Sequence, residues 1–372
     1  MNIVIDGNAF LNVSASIVKA ILLKDKRVGA NYWVSDLFDE DKYSLKQVSK
    51  DTFRDFSINY LGSIFAPFKD NISSVFFVFD SKSWRKQFVI QNAAESNQED
   101  FAYKGKRKYE NQIYLFFEYF QTEILKTISE EYGIVVNRVQ GAEGDDLIAY
   151  ICEQVKEDIC IWTVDRDLVQ LLEAENRKVI LLMPKQMTKF KKIFTTVGFD
   201  QVEEPVANTD VFNFGFDQID AASSISAINQ LIAQKDYKHF IVDPGEEVLL
   251  KILSGDGSDS IPRIHQKMTA SKVTKALEKI RQGLDSKNIL NLLDSSDPGF
   301  INHIYDVTYE ILKINDPGER QTLQHKINRN TRLVRLNTVM FPPEVLESIR
   351  SSVNISSRRR FNYHKFKKNH KR

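Results

Sequence analysis

The sequence predicts an α/β fold, with a mostly parallel central sheet flanked by helices and a helical second region. Three observations predict it. Short runs of β-branched and aromatic residues are apolar throughout rather than alternating, as strands covered on both faces are. These runs alternate with longer stretches of helical period, the pattern of parallel strands joined by crossover helices. From Glu246 onward the texture is almost wholly helical. The 372 residues, 42% of them hydrophobic, supply enough apolar material for such a core.

The strands are "NIVID", "SVFFVF", "IVVNRV", "ICIWTV" and "KVILLM", with helical patterns over 8–23, 109–131, 145–156 and 167–174. Residues 1–195 thus read as an α/β core. Within it, "NQIYLFFEYFQTEIL" is amphipathic enough that its aromatics belong to the core. Residues 196–246 are polar, mixed and too long for an ordinary link, so they form a connector or an inserted subdomain. Residues 247–355 carry the helical patterns, among them "SKVTKALEKIRQ", "PGFINHIYDVTYEILK" and "PPEVLESIRSSV". A basic tail, 356–372, follows. No internal repeat is present.

Composition excludes several classes. No apolar run approaches the roughly 20 residues of a membrane span, and "MNIVIDGNAF" lacks a signal-peptide layout. Cys152 and Cys160 lie in apolar segments and read as buried, reduced thiols, so a cytoplasmic compartment is expected. The absence of G-x-G-x-x-G and G-x-x-x-x-G-K-[ST] loops argues against dinucleotide and nucleoside-triphosphate binding. The net charge of +1 hides an asymmetry, because the last fifteen residues, "RRRFNYHKFKKNHKR", hold eight Lys or Arg and no acid. With Phe361, Tyr363 and Phe366 interleaved, this run suits a flexible arm on a phosphate backbone or a solvated tail.

The acids line up. "NIVID" ends on Asp6, "VFFVFD" on Asp80, and "ICIWTVDRD" on Asp165 and Asp167, while Glu143, Asp145 and Asp146 follow "IVVNRV". In a parallel sheet these four segments deliver carboxylates to one edge, beyond the strands' carboxyl ends, where ligands of such sheets gather. Singly, each has a plain explanation in turn chemistry or helix-dipole complementation. Jointly they repel, since two unit charges ~4 Å apart cost about 4 kcal/mol at an effective dielectric near 20. Within these segments Lys and Arg are scarce, Arg166 being the exception, so bound cations are the expected balance. An all-carboxylate set suits Mg²⁺, Mn²⁺ or Ca²⁺, whereas zinc prefers Cys and His. Two such ions about 4 Å apart would clamp the attacking and leaving oxygens of a phosphodiester.

A basic counterpart lies between. "SKSWRKQF" brings Arg85 and Lys86 past Asp80, and "FAYKGKRKYE" brings Lys104, Lys106, Arg107 and Lys108 beside Tyr103 and Tyr109. These charges are expected on flanking phosphates and the aromatics on exposed bases. A solvated helix entrance is the plain alternative.

Taken in order, "VIDGNAF", "VFFVFDS", "FAYKGKRK", "GAEGDDLIAYI", "TVDRDLVQLL" and "LSGDGSDSIP" resemble the 5′ nucleases, or flap endonucleases, and within them the phage ribonuclease H enzymes of the T-even type. The resemblance implies a PIN-like nuclease core with a helical arch near 84–132, and a helix–three-turn–helix region that grips duplex backbone. It also implies two Mg²⁺ or Mn²⁺ ions. Asp6, Asp80, Glu143 and Asp145 correspond to ligands of the first, and Asp146, Asp165, Asp167 and Asp259 to those serving the second, with Asp256 beside them. Lys104 and Arg107 match gateway residues that contact the reacting phosphate. The implied activity is 5′→3′ exonuclease, flap-endonuclease and RNase H cleavage of 5′-flap DNA and RNA–DNA hybrids, clearing lagging-strand primers. By analogy the chain is a monomer that meets a replication clamp or single-strand-binding protein, with no membrane partner.

One departure is clear. Where relatives carry a glycine-rich hairpin after "G-D-x-x-D", this chain reads "IPRIHQKMTASKVTKAL", which has no glycine. Lys267, Lys272 and Lys275 are expected to substitute side-chain charge, and the family's potassium site loses its usual backbone donors. Two rival readings exist. Haloacid-dehalogenase-type phosphatases share "VIDGN" and "SGDGSD" superficially, but need an acid where this chain has Asn8 and a strand before the second motif. The other rival is a non-catalytic DNA-binding protein on the same fold.

Overall fold

The apolar runs become β1 (Asn2–Asp6), β2 (Ser74–Val78), β3 (Val135–Asn137), β4 (Ile159–Trp162) and β5 (Val179–Pro184), five parallel strands in the order β3-β2-β1-β4-β5. The computed structural model describes residues 1–23, 37–39, 44–96, 101–105, 113–172, 177–184, 216–221, 239–284, 286–353, 355 and 359–370. Period-two alternation explains why the runs are apolar on both faces. Ile3, Ile5, Val75 and Phe77 join one buried cluster, under α1 (Gly7–Leu23) and α2 (Gln47–Phe65). Val4, Phe76 and Val78 join another, under α6 (Gly144–Gln154). The predicted sheet and its flanking helices are borne out.

Between these lie α3 (Trp84–Ser96), α4 (Ile113–Tyr119), a π-helical turn (Phe120–Leu125) and α5 (Lys126–Tyr132). Leu115, Phe116, Phe120, Ile124 and Leu125 are buried, as the amphipathic pattern predicted. After the sheet come α7 (Pro244–Ser254), α8 (Ala270–Ile280), α9 (Ser286–Asp294), α10 (Pro298–Leu312), α11 (Pro317–Val334), α12 (Pro343–Ser352) and α13 (Tyr363–Asn369). Proline in the first turn and an Asp cap start α7, α10 and α11, where a missing N–H costs nothing. Val89 and Tyr103 pack with Leu249, Ile252 and Ile264, so the stretch after Asp80 shares a core with the helical region. Cys152 and Cys160 are buried and neither is in a disulfide. No helix of the described residues is long and apolar enough to cross a membrane.

Three expectations change. The helical pattern at 167–174 folds instead as a 3-10 helix, Arg166–Leu171, capped by Asp165. Within 196–246, β6 (Phe216–Ala221) pairs antiparallel with β5, and β7 (His239–Val242) pairs parallel with β6, making a seven-stranded sheet. These two strands extend the main sheet; 196–215 and 222–238 lie outside the described residues.

The described part of the tail, 359–370, is docked by its aromatics, while its Lys and Arg side chains stay exposed. Phe361, Tyr363 and Phe366 are buried, with Phe361 4.7 Å from Phe65 and Phe366 5.2 Å from Tyr132 between ring centroids. The Phe361 N–H donates to the Ser73 carbonyl at 3.3 Å, one residue before β2 begins. That is the amino-end edge of the sheet, opposite the acids.

Candidate metal centre

Register sets the site. Asp6 stands opposite Val78, and Asp80 follows two residues beyond, so the ends of β1 and β2 present neighbouring carboxylates. Neutral donors hold both. Asp6 accepts from the Ala9 N–H at 3.0 Å and from the Thr163 hydroxyl at 2.9 Å. Asp80 accepts from the Asn8 side-chain amide at 2.8 Å and from the Gly144 N–H at 2.6 Å. That last bond docks Asp80 on the amino end of α6, where an anion meets exposed N–H groups. Gly144 permits the approach, because a Cβ there would lie 3.0 Å from Asp80 Oδ1.

The crowded acids at the start of α6 divide by task. Glu143 is the N-cap, and Asp146 Oδ2 accepts from the Glu143 N–H at 3.0 Å, closing a capping box. Asp145 points elsewhere. Burial first, then the charges of Asp165 and Asp6, push its carboxyl well above the usual range, against the nearby Lys104 charge, which lowers it. Asp6 behaves alike: burial, with Asp80 and Asp165 nearby, raises it to about 7 against the hydrogen bonds it accepts. Asp6, Asp80, Asp145 and Asp165 therefore form one mutually repelling set. Asp165 is aimed by its own turn, its N–H donating to the Thr163 hydroxyl at 2.9 Å and its Oδ1 accepting from the Asp167 N–H at 2.8 Å.

The other acids face protein cations, which corrects the expectation that bound ions alone balance the charge. Arg85 donates to Glu143 Oε2 at 3.0 Å, to Asp146 Oδ1 at 2.7 Å, and to the Leu333 carbonyl at 3.1 Å. Only 1% exposed, Arg85 is a buried structural cation and does not meet nucleic acid as predicted. The Trp84 indole N–H donates to Asp146 Oδ2 at 3.1 Å. Lys104, in the left-handed region at φ 55°, ion-pairs with Glu143, and its N–H donates to the Asp259 carbonyl at 2.8 Å. Burial would raise Glu143, but Arg85 and Lys104 outweigh it and hold the carboxyl at about 2. The Tyr103 hydroxyl lies 3.1 Å from Glu143 and 2.9 Å from Asp259, so this buried ring bridges two acids instead of stacking on bases. Lys251 pairs with both Asp167 and Asp256.

Asp256 and Asp259 lie on the turn after α7. Backbone bonds between Asp256 and Ile261, at 2.9 and 2.8 Å, close it. Gly255, at φ +73°, is required there, since a Cβ would meet the Ile261 carbonyl at 2.4 Å. The motif "SGDGSD" thus leaves a helix, which removes the phosphatase alternative's strand. Lys267 and Lys275 are exposed and Lys272 half-exposed, on the loop before α8 and on its outer face, while Val273, Ala276 and Leu277 are buried. Lys86 is also exposed. Arg107, Lys108, Lys106 and Tyr109 lie outside the described residues.

The structure thus sorts the predicted ligands differently from the motif order. It groups Asp6, Asp80, Asp145 and Asp165, and gives Glu143, Asp146, Asp167, Asp256 and Asp259 to Arg85, Lys104, Lys251 and Tyr103. Among the described residues, no three acidic, histidine or cysteine side chains converge closely enough to hold an ion as they stand. The donor chemistry of the first set still fits a hard divalent cation: carboxylate oxygens only, and a repulsion that such a charge would relieve. Sequence reading missed Asn8, Thr163 and Lys251 as holders of the acids. Only Lys251 carried a signal, as a cation one helical turn before "G-D-x-x-D".

Residues 56–205 match the family model of the 5′-3′ exonuclease N-terminal resolvase-like domain, which bears out the 5′ nuclease resemblance. No curated protein matches the chain. Among solved structures, the bacteriophage T5 D15 protein co-crystallised with metal ions is 16% identical at a TM-score of 0.46, covering 99% of this chain and 97% of that one. The T5 D15 flap endonuclease, as a pseudo-enzyme–product complex with DNA and metal ions, is 15% identical at 0.45, with coverages of 94% and 96%. The T5 5′-exonuclease with bound zinc is 16% identical at 0.42, with coverages of 100% and 98%.

Proposed function

We propose that the chain is a metal-dependent, structure-selective 5′ nuclease that hydrolyses phosphodiesters in 5′-flap DNA and RNA–DNA hybrids. The observation that carries this reading is the set of Asp6, Asp80, Asp145 and Asp165. Four separate segments bring them to one sheet edge, where burial and mutual charge raise Asp6 to about 7 and Asp145 well above its usual range. Carboxylates shifted by burial and by one another concentrate at functional sites.

These four side chains would hold Mg²⁺ or Mn²⁺, which when bound supplies charge to a phosphodiester and lowers the pKa of water. The residues around them do the positioning. Asn8, Thr163 and the α6 amino end aim the carboxylate oxygens, and Arg85 fixes α6 against the stretch after Asp80. Lys267, Lys272 and Lys275, on the loop and helix beyond the Gly255 turn, would take duplex phosphates. RNA primers of lagging strands fit this substrate class.

The test is a labelled 5′-flap DNA and an RNA–DNA hybrid incubated with Mg²⁺, with and without chelator. Metal-dependent cleavage releasing 5′-phosphate products supports the reading. Binding without cleavage at saturating Mg²⁺ and Mn²⁺ would instead support the non-catalytic alternative.

A further inference from the structure

Lys251 occupies an unusual place. It stands in the last turn of α7, and its ammonium pairs with Asp167 from the strand β4 exit and with Asp256 from the turn after α7, the latter at 2.6 Å. The three side chains are 19%, 20% and 8% exposed, so this is not a screened surface contact. A second ion pair holds the arrangement. Arg166 bonds Glu247, one helical turn before Lys251 on the same face, and so pins α7 against the turn that carries Asp165 and Asp167.

We infer that Lys251 is an internal counter-cation, seated between Asp167 and Asp256, which must withdraw before a second divalent ion binds beside the first. The inference rests on the nuclease reading, because it takes the first set of carboxylates as a metal site. An ammonium touching both acids and an ion coordinated by both compete for the same oxygens. The Lys251 side chain is 19% exposed, so its ammonium has solvent beside it to withdraw into. If the withdrawn form is about one part in ten or less of the population, the second ion's affinity falls about tenfold or more. A first ion, which Asp6, Asp80, Asp145 and Asp165 would hold, would not feel this competition directly. Cleavage then has a built-in threshold: one ion resident, and a second admitted only when its concentration or a bound phosphate outweighs the lysine.

The test counts Mn²⁺ on the full chain without nucleic acid, by calorimetry and by electron paramagnetic resonance, in wild type, Lys251→Met, Lys251→Gln and Lys251→Arg. The expected result is a first ion of similar affinity in all four. A second ion binds about tenfold more tightly in the Met and Gln variants than in wild type or Arg. The neutral variants should also melt lower than wild type without metal and gain more from Mn²⁺, since Asp167 and Asp256 then face each other. Gln covers the case in which Met fails to fold. Equal second-ion affinity in wild type and a folded neutral variant overturns the inference while leaving the nuclease reading standing. Absence of any Mn²⁺ binding in the folded wild type overturns both.

Discussion

The Arg85 guanidinium spans Glu143 and Asp146, at 3.0 and 2.7 Å, and so ties the stretch after Asp80 to the start of α6. All three side chains are almost wholly excluded from water, at 2%, 7% and 0% exposure. Breaking such a pair leaves uncompensated buried charge, at about 3–5 kcal/mol. Arg85→Met is therefore expected to lower stability by about that much, read as a drop in denaturation midpoint. A variant of unchanged midpoint would show that the two acids find other partners.

The mutually repelling acids make an opposite expectation. Asp145→Asn or Asp165→Asn should cut flap cleavage to about a hundredth or less, the scale of losing one fixed charge-stabilising group. Duplex binding should stay close to wild type, because Lys267, Lys272 and Lys275 are untouched. The same substitutions should raise the melting temperature of the metal-free protein, since each removes one source of repulsion. Cleavage and filter binding on the same preparations check both.

The pH dependence has a definite sign. Asp6 rises from 3.8 to about 7 in the folded protein, so the unfolded chain releases this proton first as pH rises. Stability attached to Asp6 is complete below about 4 and is lost as pH climbs through about 7. Asp145 shifts in the same direction. Glu143 is lowered from 4.5 to about 2, so its contribution is complete above about 4.5 and is lost as pH falls through about 2. Metal-free protein should thus lose melting temperature between pH 5 and 8, less steeply in Asp6→Asn, and saturating Mg²⁺ should abolish the fall. A slope unchanged by Asp6→Asn would contradict the assignment.

Truncation after Arg360 separates anchoring from phosphate binding. Three buried aromatics stabilise by about 1.5–3 kcal/mol each before ordering costs, so the shortened chain should melt several degrees lower. The dependence of flap binding on salt should hardly change, since the tail docks at the sheet edge opposite the acids. A lost cation-release slope would restore the arm reading.

The parallel sheet was legible because its strands are apolar on both faces, and β1 was read residue for residue as "NIVID". Strand ends located the acids, since chain order alone places Asp6, Asp80 and Asp165 beyond three parallel strands. What sequence hides is pairing across distance. Arg85 lies 58 residues from Glu143, and Lys251 lies 84 from Asp167, separations at which no local period speaks. The tail misled for a related reason: its basic residues dominate the composition, while burial of Phe361, Tyr363 and Phe366 depends on partners near residues 65 and 132. The same competition of local pattern with context made Arg166–Leu171 a 3-10 helix, because Asp165 folds back on the Asp167 N–H.

The most direct measurement is anomalous diffraction from crystals soaked in Mn²⁺. The account places the strongest anomalous peak among Asp6, Asp80, Asp145 and Asp165, within coordination distance of oxygens from at least two of them. Saturating Mn²⁺ with no peak there, or these carboxylates turned away from one another around solvent, would contradict it.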